Sequence, residues 1–451
     1  MKQWTSQQVA QAAGASVIAA PPDGPGPKLA TIDSRRIEPG ALFIGLPGEN
    51  LDGGRFADAA LQGGAWGVLT RPEHAETLNR DAGVILAATD PLKSLQRLAT
   101  RWRRELGAQV IGVTGSTGKT STKDLLLALL APQRRTVASR ANFNTEIGLP
   151  LEILAAPAGT EVLVLEMGMR GVGQIAELAA IAEPDVAVIV SIGPVHLELL
   201  GTVARVAAAK AELIAGLAPG GTAVIPAGEG LLGPHLRSDV TTVTFGAGGD
   251  VRFAHEDDDR VVIDAGGERI ELEVPFTQAH LRTDLLAAVA AARAVGVTPS
   301  GRIELALTAG RGETVAVGGG VTVIDGCYNA NPMSMRAALS DLAVSAARSG
   351  AARRVAVLGD MLELGPDEAA YHRELGEVAG AAGVDLLVTV GPRAATIAER
   401  FAGETVRVAD AAEAADIVPG LLVAGDLVLV KGSLGVGLRR VCEALGVRVA
   451  A

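Results

Sequence analysis

VIGVTGSTGKTSTKDLLLALL, from Val110 to Leu130, is the stretch whose reading decides the fold. A short β-branched apolar run meets a glycine-rich turn, and an amphipathic segment follows, so the pattern predicts strand, turn and helix. In that arrangement backbone N–H groups and the helix N-terminus face incoming phosphate oxygens. Lys119 adds a cation, and Thr120 carries a hydroxyl suited to Mg²⁺. The position five before Gly118 is Val113. The turn is therefore the shorter T-G-x-x-G-K-T form of the P-loop rather than G-x-x-x-x-G-K-[ST]. Gly115, Ser116, Thr117, Gly118, Lys119, Thr120 and Ser121 become the candidate nucleotide contacts.

Working outward, EVLVLEMGMRG (161–171) and DVAVIVSIGPVHLELLGT (185–202) repeat the pattern of a short apolar run broken by glycine and polar residues. Such runs alternating with amphipathic segments predict βαβ units around a mostly parallel sheet, with function at the C-terminal strand ends. Glu166 falls at one of those ends, where a carboxylate can hold Mg²⁺. His196 lies in the loop after the next strand, and Lys210 on the helix VARVAAAKAELIAGL. Taken singly, these two read first as a satisfied polar histidine and a solvated lysine.

A chain of 451 residues exceeds one ordinary core, and its texture changes twice. Residues 1–107 carry turns such as PPDGPGP and LPGENLDGG and end in the basic helical run RLATRWRREL. Turn-rich sequence returns near Thr308–Gly320, after which VTVID, RRVAVLGD, DLLVTVG and DLVLVKG form a second βα series. The expected fold class is α/β in three domains: a small α/β N-terminal domain (1–107), a central P-loop ATPase domain with a mostly parallel sheet (108–309), and a Rossmann-like C-terminal domain (310–451). Hydrophobic residues make up 48% and aromatics 3%, so the cores must be built from Ala, Val, Leu and Ile. A net charge of -11 argues against nucleic-acid binding. Cys327 and Cys442 are too few and too unpatterned for a disulfide scaffold or a zinc site, which fits a reducing compartment. Neither a secretion signal nor a membrane span is visible, so a cytoplasmic location is expected.

TGSTGKTST, ANFNTEIGLPL, LEMGMRG, SIGPVHLELLG and AAAKAEL together resemble the Mur ligases, the ATP-dependent amino-acid ligases of peptidoglycan precursor synthesis. IDSRRIEPGALFIGLPGENLDGGRF, GRGE, DGCYNANPMSMRAAL, LGDMLELG and LVKGS extend the resemblance over nearly the whole chain. YNANP and LGDMLELG look most like the branch that joins D-alanyl-D-alanine to UDP-N-acetylmuramoyl-tripeptide. The resemblance implies ATP and two Mg²⁺ ions as cofactors and those two small molecules as substrates; a monomer is expected. It further implies that Lys119 and its loop hold the β/γ-phosphates, that Thr120 and Glu166 hold a first Mg²⁺, and that His196 serves a second. Lys210 matches the family lysine carbamylated by CO₂, which would turn a cation into an oxygen ligand.

By the same resemblance, Asn142, Asn144 and Thr145 lie near the peptide substrate, with Thr145 where Asn is more usual. Asp33, Ser34 and Arg35 match the D-S-R motif at the uridine end. Asp325, Tyr328, Asn329 and Asn331 match the segment that closes over ATP, with Arg311 at the preceding hinge. The chain departs from the family at AHLRTD (279–284) for G-H-N-x-x-N, and at Gly54, Gly326, Met333 and Leu434. Two other readings compete: a folylpolyglutamate-type or third-residue-adding relative with a different acceptor, and a non-catalytic nucleotide-binding regulator. D-S-R, G-E-N-x-D-G and YNANP count against the folate reading. A regulator would need fewer of Lys119, Thr120, Glu166, His196 and Lys210.

Overall fold

Strands that are apolar along their whole length need cover on both faces, and the helices supply it. The computed structural model describes residues 1–21, 24–140, 142–306, 308 and 310–447. Ala309 and residues 448–451, at the expected domain ends, and Ala141 of ANFNTEIGLPL lie outside the described residues. Three sheets follow one another along the chain in a three-part, mostly parallel α/β architecture.

The first sheet runs in the order Ser16–Ala19, Val84–Ala87, Gly67–Thr70, Ala41–Ile44 and Leu29–Thr31, with only its first pair antiparallel. The second has ten strands. At its heart Gln109–Thr114 lies between Val162–Glu166 and Val186–Ile189, all parallel. Further out, Val251–Glu256, Arg260–Ala265 and Glu268–Glu273 form an antiparallel extension. The third sheet orders Glu313–Ala316, Thr322–Gly326, Asp426–Lys431, Arg353–Gly359, Leu386–Val390 and Glu404–Val408, antiparallel only in the first pair.

Two helices cover one face of the central sheet, Lys119–Leu130 and Ala279–Ala294. The latter buries Leu281, Leu285, Leu286 and an alanine-rich run through Ala292, small side chains that let it approach closely. The opposite face is covered by Gln174–Ala182 and Val203–Ala215.

The basic run RLATRWRREL belongs to helix Pro91–Leu106, capped by Asp90 and ended by left-handed Gly107. It bridges the first two sheets. Trp102 meets Trp4 edge to face at 5.4 Å and donates its indole N–H to the Ala156 carbonyl at 3.0 Å. Arg103 donates to the carbonyls of Ala182 and Glu183. One continuous apolar core therefore runs from Met1 and Trp4 to Leu149 and Leu163. No helix among the described residues is long and apolar enough to cross a membrane.

Candidate active site

Because the three central strands are parallel and in register, their C-terminal ends deliver the phosphate-binding turn, Glu166 and the His196 loop to one edge of the sheet. Gly118 adopts φ 80°, the left-handed turn that starts helix Lys119–Leu130. A Cβ there would collide with the Asp284 carboxylate and Val190, so the position requires glycine twice over. Lys119 curls back and donates to the Gly115 carbonyl at 2.9 Å. Ser116 is tied to Gly193, and the Thr117 N–H donates to Ser191 Oγ at 2.9 Å.

Thr120 donates its hydroxyl to Glu166 Oε2 at 2.8 Å, and the Asn144 amide donates to Oε1 at 2.8 Å. The Glu166 backbone N–H is itself held by Ser139 Oγ at 3.0 Å. Thr120 and Glu166 are thus buried oxygens already within one small cation's span, which fits a hard divalent ion such as Mg²⁺. Asn142 is exposed and offers its carbonyl to the Asn144 N–H at 2.8 Å. Thr145 instead serves the next helix, accepting from the Gly148 N–H at 3.4 Å.

Lys210 is 2% exposed, and no hydrogen bond or ion pair reaches its Nζ among the described residues. Dehydration pushes its amine well below the usual lysine range, and the charge of Lys119 adds to the effect. Burial also lowers Lys119, against the pull of Glu166. His196 is lowered by burial too, despite its contact with Glu363. That contact, Nδ1 to Oε2 at 2.5 Å, comes from the LGDMLELG segment of the third sheet. His196 and Glu363 both have left-handed backbones, φ 52° and 64°, so both ends of this link are conformations that non-glycine residues seldom adopt. Nδ1 is occupied, which leaves Nε2 for a ligand.

A second link comes from the YNANP segment. The Asn331 amide donates to the Ser116 carbonyl at 3.3 Å, and Met333 packs on the bare α-carbon of Gly193. Around it, the Arg311 guanidinium lies 3.9 Å from the Tyr328 ring centroid, and Lys431 donates to the Asn329 carbonyl at 2.9 Å. Asp325 accepts from the Cys327 N–H, and Asn329 accepts locally from Ala330. Burial and the nearby Arg311 bring Lys431 down to about 8. Thr308, in the linker, is held by Asp124 of the phosphate-loop helix at 2.9 Å.

Asp33, Ser34 and Arg35 form a separate turn in the first unit, with Asp33 accepting from the Arg35 backbone and side chain. No contact joins it to the phosphate loop among the described residues. Glu363, Ser139 and Asp284 carry no sequence signal strong enough to single them out. Asp284, in the departing AHLRTD segment, accepts from Ser121 Oγ at 2.5 Å beneath the loop, and burial raises it to about 7. Its spacing as the last residue of that motif is the one hint the sequence offers.

Residues 28–103 match the Mur ligase family catalytic domain, 113–292 the Mur ligase middle domain, and 310–434 the Mur ligase glutamate ligase domain. The UDP-N-acetylmuramoyl-tripeptide–D-alanyl-D-alanine ligase of Bacillus subtilis is 35% identical over 92% of each chain. Its counterpart in Mycobacterium tuberculosis is 36% identical, covering 99% of this chain and 98% of that one. MurF from Acinetobacter baumannii superposes with a TM-score of 0.85 at 27% identity over 98% of both chains. MurF from Thermotoga maritima in complex with ADP gives 0.79 at 29% identity, covering 92% of this chain and 96% of that one. With relatives this similar across almost its whole length and the phosphate loop, Glu166 and two later segments meeting at one sheet edge, the chain belongs to the Mur ligase family.

Proposed function

We propose that the chain uses ATP to join D-alanyl-D-alanine to UDP-N-acetylmuramoyl-tripeptide through an acyl phosphate, releasing ADP and phosphate. The relatives aligned over more than nine-tenths of the chain are named as ligases of those two substrates. The observation that carries the reading is the convergence of Lys119, Thr120 and Glu166 with Asn331 on the phosphate loop. Residues 1–107, 108–309 and 310–451 then act as three domains: one for the uridine nucleotide, one for ATP, and one that closes over both.

The chemistry requires a carboxylate to become an acylating agent. The tripeptide carboxylate attacks the γ-phosphorus and ADP departs; the dipeptide amine then attacks the acyl carbon, loses a proton, and phosphate leaves. Catalysis is mainly positioning and charge neutralisation. Lys119 and the Gly115–Ser121 turn hold the phosphates, while Arg311, Asp325 and Asn329 receive the rest of the nucleotide. Asn142, Asn144 and Thr145 border the peptide, and Asp33, Ser34 and Arg35 hold the uridine end. Thr120 and Glu166 would hold one Mg²⁺, and His196 with carbamylated Lys210 a second. Bound Mg²⁺ supplies neutralisation of the phosphate charge. Glu363, from the third unit, holds His196 at Nδ1 and leaves Nε2 for the ion.

Lys210 favours carbamylation because its lowered pKa populates the neutral amine, the form that adds to CO₂ with loss of one proton. A lysine cation could not ligate a metal. Lys210→Ala is expected to abolish turnover, and short carboxylic acids are expected to restore part of it; a fully active alanine variant would exclude the carbamate.

The assignment is tested by phosphate release with ATP, Mg²⁺, UDP-N-acetylmuramoyl-tripeptide and D-alanyl-D-alanine, omitting one component at a time. Full release requires all four. Release that ignores the dipeptide would sink the assignment.

A further inference from the structure

The two cysteines, unremarkable by spacing, come together in the third unit. Cys327 follows strand Thr322–Gly326, and Cys442 sits on helix Arg439–Ala444. Both are buried, and both face Asp325. One ligand atom from each of Asp325, Cys327 and Cys442 lies within 4.8 Å of the other two. In a tetrahedral Zn²⁺ site with Zn–S near 2.3 Å and Zn–O near 2.1 Å, neighbouring ligand atoms stand about 3.5–3.8 Å apart, so little inward movement is needed. Asp325 uses Oδ1 to accept from the Cys327 N–H at 3.0 Å, which leaves Oδ2 for a ligand.

We infer that Asp325, Cys327 and Cys442 form a binding site for one thiophilic divalent cation, Zn²⁺ or Cd²⁺, whose occupancy switches off the nucleotide-facing segment. Two thiols select such an ion over Mg²⁺, and three protein ligands leave a fourth position for water. A disulfide would use only two of the three converging groups. Thiolate is the ligating form, so the cation competes with protons and binding strengthens as pH rises. Contact with Cys327 and burial hold the Cys442 thiol protonated in the absence of a cation. Arg311 and Lys431 lie close by, and their positive charge favours the resulting thiolates while opposing the ion itself.

The functional consequence follows from position along the chain. Cys327 immediately precedes Tyr328, on which Arg311 stacks, and Asn329, whose carbonyl holds Lys431. Asn331 then reaches the phosphate loop. A cation on Asp325 and Cys327 withdraws Asp325 from the nucleotide and fixes the start of this segment.

The test is a Co²⁺ titration of the full chain under a phosphine reductant. One Co²⁺ per chain with a near-ultraviolet thiolate-to-cobalt charge-transfer band is expected, displaced by Zn²⁺ and lost in both Cys442→Ser and Cys327→Ser. In parallel, Zn²⁺ at saturating Mg²⁺ should inhibit ATP turnover, with the midpoint at least about tenfold higher in Cys442→Ser, whose turnover without Zn²⁺ matches the parent. Absence of the band, or equal inhibition of parent and variant, overturns the site. Cys442→Ala, which keeps the buried volume apolar, replaces the serine variant if that one does not fold. The absorbance result stands whether or not the proposed ligase activity is found.

Discussion

The phosphate loop and the Asp33–Arg35 turn are both short polar turns, yet their side chains are held in opposite ways. In the loop, Thr120, Glu166 and Asn144 are fixed by one another inside the sheet edge, and Lys119 is tied to Gly115. In the other turn, Arg35 is 86% exposed and, among the described residues, pairs only with Asp33, two residues away. An exposed pair of this kind holds its geometry weakly and can exchange it for a ligand's. A buried cluster is preorganised and loses function when any member changes. The first arrangement suits charge neutralisation, the second adaptable binding.

Between these two regions, the larger effect should come from breaking the buried cluster. Glu166→Gln preserves shape but removes the charge, and kcat should fall about 10²–10³-fold, measured by steady-state ATP turnover. An unchanged kcat would remove Glu166 from the site.

Asp284 sharpens the contrast from below the loop. Its pKa rises from 3.8 to about 7, chiefly through burial, so the folded protein keeps a proton that the unfolded chain releases above pH 4. Its contribution therefore becomes progressively unfavourable from about pH 4 to about pH 7 and stays so above. Asp284→Asn should gain stability over the parent across that window, reaching a few kcal/mol, since each tenfold change in proton affinity is worth on the order of 1.4 kcal/mol. Denaturant unfolding at pH 5 and pH 8 measures the difference, and an equal difference at both would refute it.

Smaller effects lie at the periphery. Asn331→Ala removes one hydrogen bond to the loop and should raise the KM for ATP about two- to tenfold. Arg35→Ala should raise the KM for the uridine nucleotide substrate about tenfold or less and leave kcat and the thermal midpoint unchanged. A fall in kcat would place Arg35 nearer the chemistry than its exposed turn suggests.

Much of the fold is legible in the sequence because it is local. Strands predicted at VIGV, EVLVLE and DVAVIVS are found at Gln109–Thr114, Val162–Glu166 and Val186–Ile189, since fully buried parallel strands show as short continuous apolar runs. Glu166 is legible for the same reason, as the strand's last residue. The His196–Glu363 contact joins residues 167 apart in sequence, and Asn331 reaches Ser116 across 215. No periodicity encodes such pairings, because they depend on how the third unit seats on the second. The convergence of Cys327 and Cys442 is hidden likewise, arising from a strand end and a helix far along the chain. Helix Pro91–Leu106 shows the same limit, because RLATRWRREL reads only as a basic helical run while Arg103 donates to the carbonyls at the end of a neighbouring helix.

The central claim is that the buried cluster at the phosphate loop makes an acyl phosphate on the tripeptide carboxylate. It is tested most directly by labelling that carboxylate with ¹⁸O and analysing the phosphate released during turnover by mass spectrometry. The account predicts one ¹⁸O in each phosphate released from fully labelled substrate. Phosphate free of label, with the amide product formed, would contradict it.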